Sequence, residues 1–323
     1  MLPPNILITN FCNQNCSFCF AREEMASKLI RREMPLKDFK NVLLKLKKNP
    51  EIKMVKLLGG EPTLHSKFKE IINLSLKYFS YVQIFTNGVF SDELTKFLIK
   101  KSPRIGFTFN VFTPGFIFQP KIRSLVLKRI TQTINYSRIA LSLTFDMNTD
   151  LKTFFNLFED NLLKKIHFFR LGFSNPVAGE KNFYRFSDFP KMGRQVIYII
   201  KKIREVNEKA EINLNCGFTR CMFTNKEFKL MKKETNFYGF SCFGKNASFD
   251  LQTDLTAFHC FPLSTQYKIN TQNKSFINVD KRLIKKRLDF WSKIKENVCV
   301  KCPFYGFGEE QCPGPCLGFL INS

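Results

Sequence analysis

The sequence has 323 residues, a hydrophobic share of 44% and a formal net charge of +24. This length suits one large α/β unit with a smaller appendage, and the hydrophobic content excludes a disordered chain. No apolar run approaches the ~20 residues that a membrane-spanning helix needs. The first eleven residues also lack a signal-peptide pattern. The expected location is therefore the cytoplasm, with no membrane partner.

The positive charge comes from 51 Lys and Arg against 27 Asp and Glu. The lysines are spread over nearly every predicted helix and form no single basic tract, which is typical of a solvated surface. An acidic peptide could still be attracted by such a surface. Binding to nucleic acid is not expected, because the net charge is the one feature of the sequence that favours it.

Hydrophobic strands and amphipathic helices alternate up to about residue 215. Strands are predicted at 5–9, 53–58, 81–86, 104–110, 139–145, 166–171 and 210–215. Helices are predicted between them at 36–48, 68–79, 91–100, 121–135, 151–163 and 188–207. This order predicts an α/β fold whose parallel sheet forms a partial (β/α)6 TIM-like barrel. Such folds place their chemistry beyond the C-terminal ends of the strands.

The pattern changes after residue 216, where cysteines, glycines and aromatic residues become frequent. A hairpin is predicted from 247–251 and 255–259, followed by one helix at 281–297. We therefore predict a core domain at 1–215 and a small cysteine-rich domain at 216–323.

Three cysteines, Cys12, Cys16 and Cys19, lie in one short segment after the first strand. The chain has eleven cysteines but only three histidines, so sulfur-ligated clusters or zinc are favoured over histidine-rich sites. Three thiolates can bind three irons of a [4Fe–4S] cluster and leave the fourth open to another ligand. A zinc knuckle, or three unrelated core cysteines, would be the alternative.

Two further motifs follow the next two strands. Gly59-Gly60-Glu61-Pro62 comes after the second strand, and Thr86-Asn87-Gly88 after the third. Glycines let a backbone approach a ligand closely, and Glu61 adds a carboxylate. The Cys-x₃-Cys-x-aromatic-Cys spacing, with Phe18 as the aromatic residue, and the Gly-Gly-Glu-Pro motif together resemble the radical S-adenosylmethionine (SAM) superfamily.

This resemblance implies roles for the motif residues. The three cysteines would hold the cluster, and SAM would chelate its open iron. Glu61 and the backbone of Gly59 and Gly60 would receive the amino group of SAM, and Phe18 would lie against its adenine. Weaker candidates for binding SAM or substrate, which could also be ordinary strand-end polar residues, are Asn87, Ser142, Thr144, Arg170 and Asn175. A ferredoxin or flavodoxin would supply the electron that cleaves SAM to a 5′-deoxyadenosyl radical.

The other eight cysteines lie in the second part of the chain. They are Cys216, Cys221, Cys242, Cys260, Cys299, Cys302, Cys312 and Cys316. Eight thiolates suffice for one or two auxiliary iron–sulfur clusters, and their spacing resembles the SPASM and twitch extensions of radical SAM enzymes. The leading ligand set is Cys242, Cys260, Cys299 and Cys302. Cys316 could replace one of them, and Cys216 or Cys221 could supply a missing ligand. Structural zinc is the alternative.

The resemblance favours a substrate that is a peptide or protein, so a peptide maturase is the leading hypothesis. Because only eleven residues precede Cys12, a separate protein would have to recognise the peptide. The alternatives are a dehydrogenase or rearrangement enzyme acting on a small molecule, an RNA-modifying enzyme, and a cluster or zinc protein without catalysis.

Overall fold

The computed structural model describes residues 2–16, 19, 21–27, 30–158, 160–174, 184–215, 217–240, 248–294, 297–306 and 310–317. Its strands are β1 Asn5–Thr9, β2 Met54–Gly59, β3 Tyr81–Thr86, β4 Ile105–Phe112, β5 Arg138–Phe145, β6 Phe168–Phe173, β7 Glu211–Leu214, β8 Asp250–Leu251, β9 Thr256–Phe258 and β10 Ile269–Asn270. Its helices are α1 Arg22–Ala26, α2 Leu36–Lys47, α3 Phe68–Tyr78, α4 Asp92–Ile99, α5 Thr113–Phe118, α6 Pro120–Thr133, α7 Leu151–Asn156, α8 Asp160–Leu163, α9 Phe189–Val206, α10 Asn225–Glu234, α11 Phe276–Ile294 and α12 Asn297–Val300.

One sheet contains all ten of these strands, in the order β10-β9-β8-β1-β2-β3-β4-β5-β6-β7. Strands β1 to β7 are parallel and adjacent in chain order, and helices connect them. This arrangement confirms the predicted α/β fold with a partial barrel. It also brings the ends of β1, β2 and β3 side by side at one edge.

The helices pack on one face of the sheet because their apolar residues recur every three or four positions. In α2, Phe39, Val42, Leu43 and Leu46 are buried against the strands. In α4, the hydroxyl of Ser91 accepts a hydrogen bond from the Leu94 amide at 3.2 Å, which is the N-cap that the sequence predicts. The other face of the sheet lines the interior of the barrel.

The second part of the chain continues the same sheet. Strand β8 pairs in parallel with β1, and β9 and β10 follow as antiparallel neighbours. The side-chain Nδ2 of Asn5 donates to Asp250 Oδ1 at 2.7 Å and fixes this junction. The division into domains at residue 215 therefore stays a prediction, although the predicted hairpin is present as β8 and β9.

Several elements differ from the prediction. The helix predicted at 151–163 is described as α7 and α8, and the last long helix, α11, begins at Phe276 rather than at residue 281. Helix α10 was not predicted, since apolar side chains are few in this lysine-rich segment. A capping box between Thr224 and Glu227 begins that helix. Across the described ranges, no helix is both long and apolar enough to span a membrane.

Candidate functional site

The cluster loop, defined as residues 10–19, leaves the C-terminal end of β1. Cys12, Cys16 and Cys19 are half-buried in it. The Cys19 amide donates to the Cys16 carbonyl at 3.1 Å, and the Gln14 amide donates to Cys12 Sγ at 3.4 Å. Directed amide hydrogen bonds of this kind stabilise a thiolate at Cys12. The three thiols are therefore held by one short segment at the strand edge where the motifs meet.

The pKa values of the three thiols in the cluster loop depend on their burial, and that of Cys16 also depends on the charge of Arg22. Burial raises the pKa of all three thiols, and the neighbouring thiols Cys19 and Cys12 add to the shift that takes the pKa of Cys16 to about 11. The guanidinium of Arg22 opposes this shift and also donates to the Cys16 carbonyl at 2.8 Å. The metal-free thiols are thus protonated at neutral pH, and cluster binding must displace their protons.

The number of thiols in the cluster loop matches the ligand set of an open cluster. A structural zinc site needs four ligands around one centre. A [4Fe–4S] cube with one open iron needs three thiolates, each bound to its own iron.

The Gly59-Gly60 segment lies directly against the cluster loop. The Gly60 amide donates to the Thr9 carbonyl at 2.9 Å, and the Glu61 amide donates to the Phe11 carbonyl at 2.7 Å. A Cβ on Gly59 would lie 2.5 Å from the Thr9 carbonyl oxygen, and one on Gly60 would lie 2.5 Å from that of Phe11. Glycine is therefore required here for the backbone of the cluster loop to pass. Contact of these glycines with SAM stays a prediction.

The Glu61 carboxylate is fully buried, with 0% exposure. Its Oε1 accepts from the Thr63 hydroxyl at 2.7 Å and the Thr86 hydroxyl at 2.8 Å, and its Oε2 accepts from the Asn87 amide at 2.7 Å. Burial raises the pKa of Glu61, while these hydrogen bonds oppose the rise. The carboxylate thus ties the end of β2 to the end of β3. Its predicted contact with the SAM amino group is untested.

Asn87 joins the third strand end to the cluster loop. Its Nδ2 donates to Asn13 Oδ1 at 2.8 Å and lies 3.9 Å from Cys12 Sγ, and Asn13 Nδ2 donates to the Val89 carbonyl at 2.7 Å. Gly88 follows with a φ of +79°, which the turn requires. Three strand ends therefore meet at the same thiols.

The remaining predicted cofactor residues lie deeper in the barrel or outside the described ranges. Ser142 is buried on β5 and is in register with Arg170 on β6, while Thr144 pairs with Gly172. Arg170 donates to Asn215 Oδ1 at 2.6 Å. Phe18, Asn175, Cys216 and Cys242 lie outside the described residues.

A charged group in the barrel interior was missed by sequence reasoning. Lys56 on β2 and Asp250 on β8 flank Asn5 in register. Burial and the charge of Arg170 lower the pKa of Lys56 to about 8. Burial raises the pKa of Asp250 to about 7, against the hydrogen bond from Asn5. The alternation of apolar and polar residues along β2 could have indicated that Lys56 faces away from the helices. Only the order of the strands in the sheet shows that Lys56 and Asp250 lie near each other.

Asp250 gives a pH-dependent prediction. Its folded pKa of about 7 lies above the unfolded value of about 3.9, so its contribution to stability is full below pH 4 and is lost as pH rises through 7. We expect Asp250→Asn to flatten the decline in the free energy of unfolding between pH 5 and 8, measured by urea titration of the apoprotein. Asp150→Asn is the control, because that exposed N-cap carboxylate has a lowered pKa and is ionised throughout this range. Parallel curves for wild type and Asp250→Asn would contradict this assignment.

A second thiol site lies in the cysteine-rich part. Four cysteines, Cys221, Cys299, Cys302 and Cys312, line one small cavity of about 30 Å³. We call this cavity the four-cysteine site. The other lining residues are Phe186, Thr219, Arg220, Tyr305, Gly314 and Pro315. Burial raises the pKa of Cys221 and of Cys312, as it does in the cluster loop.

Local hydrogen bonds build this site from distant segments. The Cys302 amide donates to the Cys299 carbonyl at 2.9 Å, and the Arg220 amide donates to Cys312 Sγ at 3.5 Å. The Trp291 ring stacks on Tyr305 at 5.7 Å, and its indole N–H donates to the Pro313 carbonyl at 3.0 Å. Helix α11 thereby holds the terminal loops together.

The ligand grouping differs from the leading prediction. Cys299 and Cys302 share their cavity with Cys221 and Cys312, whereas Cys260 does not line it. Cys260 begins a 3₁₀ turn after β9, and Cys316 is buried near the end of the described chain. Sequence spacing could not reveal this, because Cys221 lies 91 positions before Cys312 and only the fold brings them together.

Comparison with known proteins decides the family. Residues 6–145 match the sequence model of the Radical SAM superfamily, a stretch that runs from β1 to the end of β5 and includes the cluster loop. This part of the chain is a radical SAM domain. The match confirms, for these residues, the superfamily that the motifs predicted.

Curated relatives match the radical SAM domain over short stretches. The 7,8-dihydro-6-hydroxymethylpterin dimethyltransferase of Methanocaldococcus jannaschii is 38% identical over 87 residues, which are 26% of this chain and 17% of that protein. The sporulation killing factor maturation protein SkfB of Bacillus subtilis is 33% identical over 82 residues, which are 25% of this chain and 19% of SkfB. The chain therefore spans less than about a fifth of each of these relatives.

A solved structure matches the radical SAM domain and the part that follows it. The structure of Streptococcus suis SuiB bound to S-adenosylmethionine aligns with a TM-score of 0.69 and 19% identity. The alignment covers 100% of this chain and 75% of the SuiB chain. SuiB bound to its precursor peptide SuiA aligns with a TM-score of 0.68. This likeness supports the fold of the whole chain.

Proposed function

We propose that this chain is a radical SAM peptide maturase that binds a [4Fe–4S] cluster and SAM at the cluster loop and carries at least one auxiliary cluster. The observation that carries the proposal is the meeting of Cys12, Cys16 and Cys19 with the ends of β2 and β3. That edge is where parallel α/β folds bind their ligands. The fold likeness to SuiB over the entire chain supports a peptide as the substrate.

The donor set fits the cofactor. Three half-buried thiols come from one loop, which is the number of ligands that a [4Fe–4S] cluster with one open iron requires. When bound together, the cluster and SAM supply a carbon-centred radical that can remove a hydrogen atom from a substrate. The protein's own task is to hold the ligands, orient the substrate and exclude water.

Several residues perform that task at the cluster loop. Arg22 fixes the Cys16 carbonyl and opposes the rise in the pKa of the Cys16 thiol that burial causes, which favours the ligating thiolate form. Glu61 and Asn87 lock the neighbouring strand ends against the loop. The interior charges of Lys56 and Arg170, next to Asp250, offer polar contacts to a substrate that enters the barrel.

The four-cysteine site fits an auxiliary iron–sulfur cluster. Four thiols supply one ligand for each iron of a [4Fe–4S] cube. Cys260 and Cys316 are available to a second auxiliary cluster, for which Cys216 and Cys242 are the further candidate ligands.

A substitution in the four-cysteine site distinguishes the proposed auxiliary cluster from the cluster that binds SAM. Cys221→Ala is expected to lose about four irons per chain, while 5′-deoxyadenosine still forms from SAM and dithionite because the cluster loop is unchanged. Thr219→Val is the control, since Thr219 lines the same cavity without being a predicted ligand. Iron analysis and Mössbauer spectra measure the difference. Unchanged iron in Cys221→Ala would contradict the ligand assignment.

The substrate class is tested by co-expression. The gene is expressed anaerobically with each short open reading frame beside it, and the intact mass of each peptide is measured. A peptide that loses hydrogen or gains a crosslink only with the wild-type enzyme, and not with Cys16→Ala, supports a maturase. Small-molecule turnover without any peptide change supports the alternative, which the likeness to the pterin dimethyltransferase favours.

A further inference from the structure

A groove lies beside the four-cysteine site and shares one wall with it. Its volume is about 450 Å³, and its lining is Arg220, Asn225, Phe228, Lys229, Lys232, Phe304 and Glu310. Arg220 lines both the groove and the cavity of the cysteines. A molecule seated in the groove would therefore be separated from that cavity by a single residue.

Arg220 is fixed in this wall. Its guanidinium lies 4.5 Å from the ring centre of Phe228 and 4.5 Å from that of Phe304, so it is held between two aromatic faces. It also donates to the Phe223 carbonyl at 2.6 Å and to the side chain of Asn225. Its backbone amide donates to Cys312 Sγ. The wall between groove and cavity is thus rigid and positively charged.

One face of α10 forms the side of the groove. Asn225, Phe228, Lys229 and Lys232 recur at the spacing that places residues on one helix face. Lys229 is exposed, and no acidic partner for it is found among the described residues. Lys232 is paired with Glu310, the one carboxylate in the lining. Phe304, with 42% exposure, adds an apolar contact in the centre.

We propose that this groove is the docking surface for a small acidic electron-carrier protein that exchanges electrons with the cluster of the four-cysteine site. The inference rests on the proposed auxiliary cluster. Three cations against one carboxylate, around an exposed aromatic ring, complement an acidic protein surface. In the reducing direction the carrier loses one electron and the cluster gains it, and no bond is made or broken. Exposed Cys221 follows Arg220 in the chain and lines the four-cysteine site.

The test uses the reconstituted full chain and flavodoxin as the acidic probe. The variant Lys229→Glu with Lys232→Gln reverses the charge of the groove without setting a second carboxylate against Glu310. Binding of oxidised flavodoxin at low salt is expected to weaken about tenfold or more, with a matching fall in the second-order rate of cluster reduction. Photoreduction by a neutral deazaflavin should stay unchanged, because that donor needs no charged surface.

The matched control makes the same charge change on another helix. Lys96→Glu with Lys100→Gln alters two exposed lysines, one in α4 and one at its C-cap. Neither lines the groove, so this variant should leave binding unchanged. Equal binding by the groove variant and wild type, or an equal loss in the control, would overturn the docking surface. Absence of an auxiliary cluster is recognised separately by iron analysis and would overturn the proposed function with it.

Discussion

Cys16→Ala is expected to abolish 5′-deoxyadenosine formation, with a fall of more than about 1,000-fold below the wild-type rate. Removal of one of three ligands leaves a second iron without a thiolate, so the cluster is not held in the form that binds SAM. The measurement is product formation from SAM and dithionite under anaerobic conditions, with iron content determined on the same sample.

Asn15→Ala is the matched control for this change. Asn15 is exposed in the same loop and makes no side-chain hydrogen bond within the described chain. We expect it to keep cluster and activity. Normal SAM cleavage by Cys16→Ala, or equal loss in both variants, would contradict the role of the thiol.

Glu61→Gln is expected to destabilise the apoprotein by about 3 kcal/mol and to lower SAM cleavage by about 100-fold. An amide is isosteric with the carboxylate but places N–H donors against the donors of Thr63, Thr86 or Asn87. Because the site is fully buried, no water can replace the lost acceptor. The ends of β2 and β3 would then lose their register beside the cluster loop, which explains the activity loss.

Glu33→Gln tests whether burial causes the effect of Glu61→Gln. The Glu33 carboxylate also accepts two hydrogen bonds, from the amide and hydroxyl of Ser66 at 2.7 and 2.6 Å, but it is more exposed. We expect a loss of less than about 1 kcal/mol, because water can satisfy the exposed groups. Urea unfolding of both apoproteins measures the difference. Similar losses in the two variants would count against Glu61 as the buried link between strands.

The cluster loop and most of the barrel could be predicted from the sequence. Strands β1 and β3 were predicted with their observed bounds, since local periodicity and strand-end turns are encoded in neighbouring residues. Helix α10 escaped prediction because its stability depends on a capping box and on packing against α9, and its own apolar residues are few.

The parts that the sequence did not predict are contacts between distant segments. Nothing local indicates that Cys221 meets Cys312, that Asp250 faces the barrel interior, or that Arg220 lies between Phe228 and Phe304. The role of Glu61 shows the same limit. Its motif predicted a ligand for SAM, and the structure adds four hydrogen bonds to its carboxylate, two of which link the ends of β2 and β3.

The most direct test of the account is whether SAM binds to a cluster held by Cys12, Cys16 and Cys19. The Cys221→Ala variant is reduced anaerobically and examined by electron–nuclear double resonance with SAM labelled by ¹⁵N in its amino group. A coupling between the label and the cluster is expected, since three thiolates leave one iron free for that nitrogen. A reduced [4Fe–4S] spectrum that is identical with and without SAM would contradict the central claim.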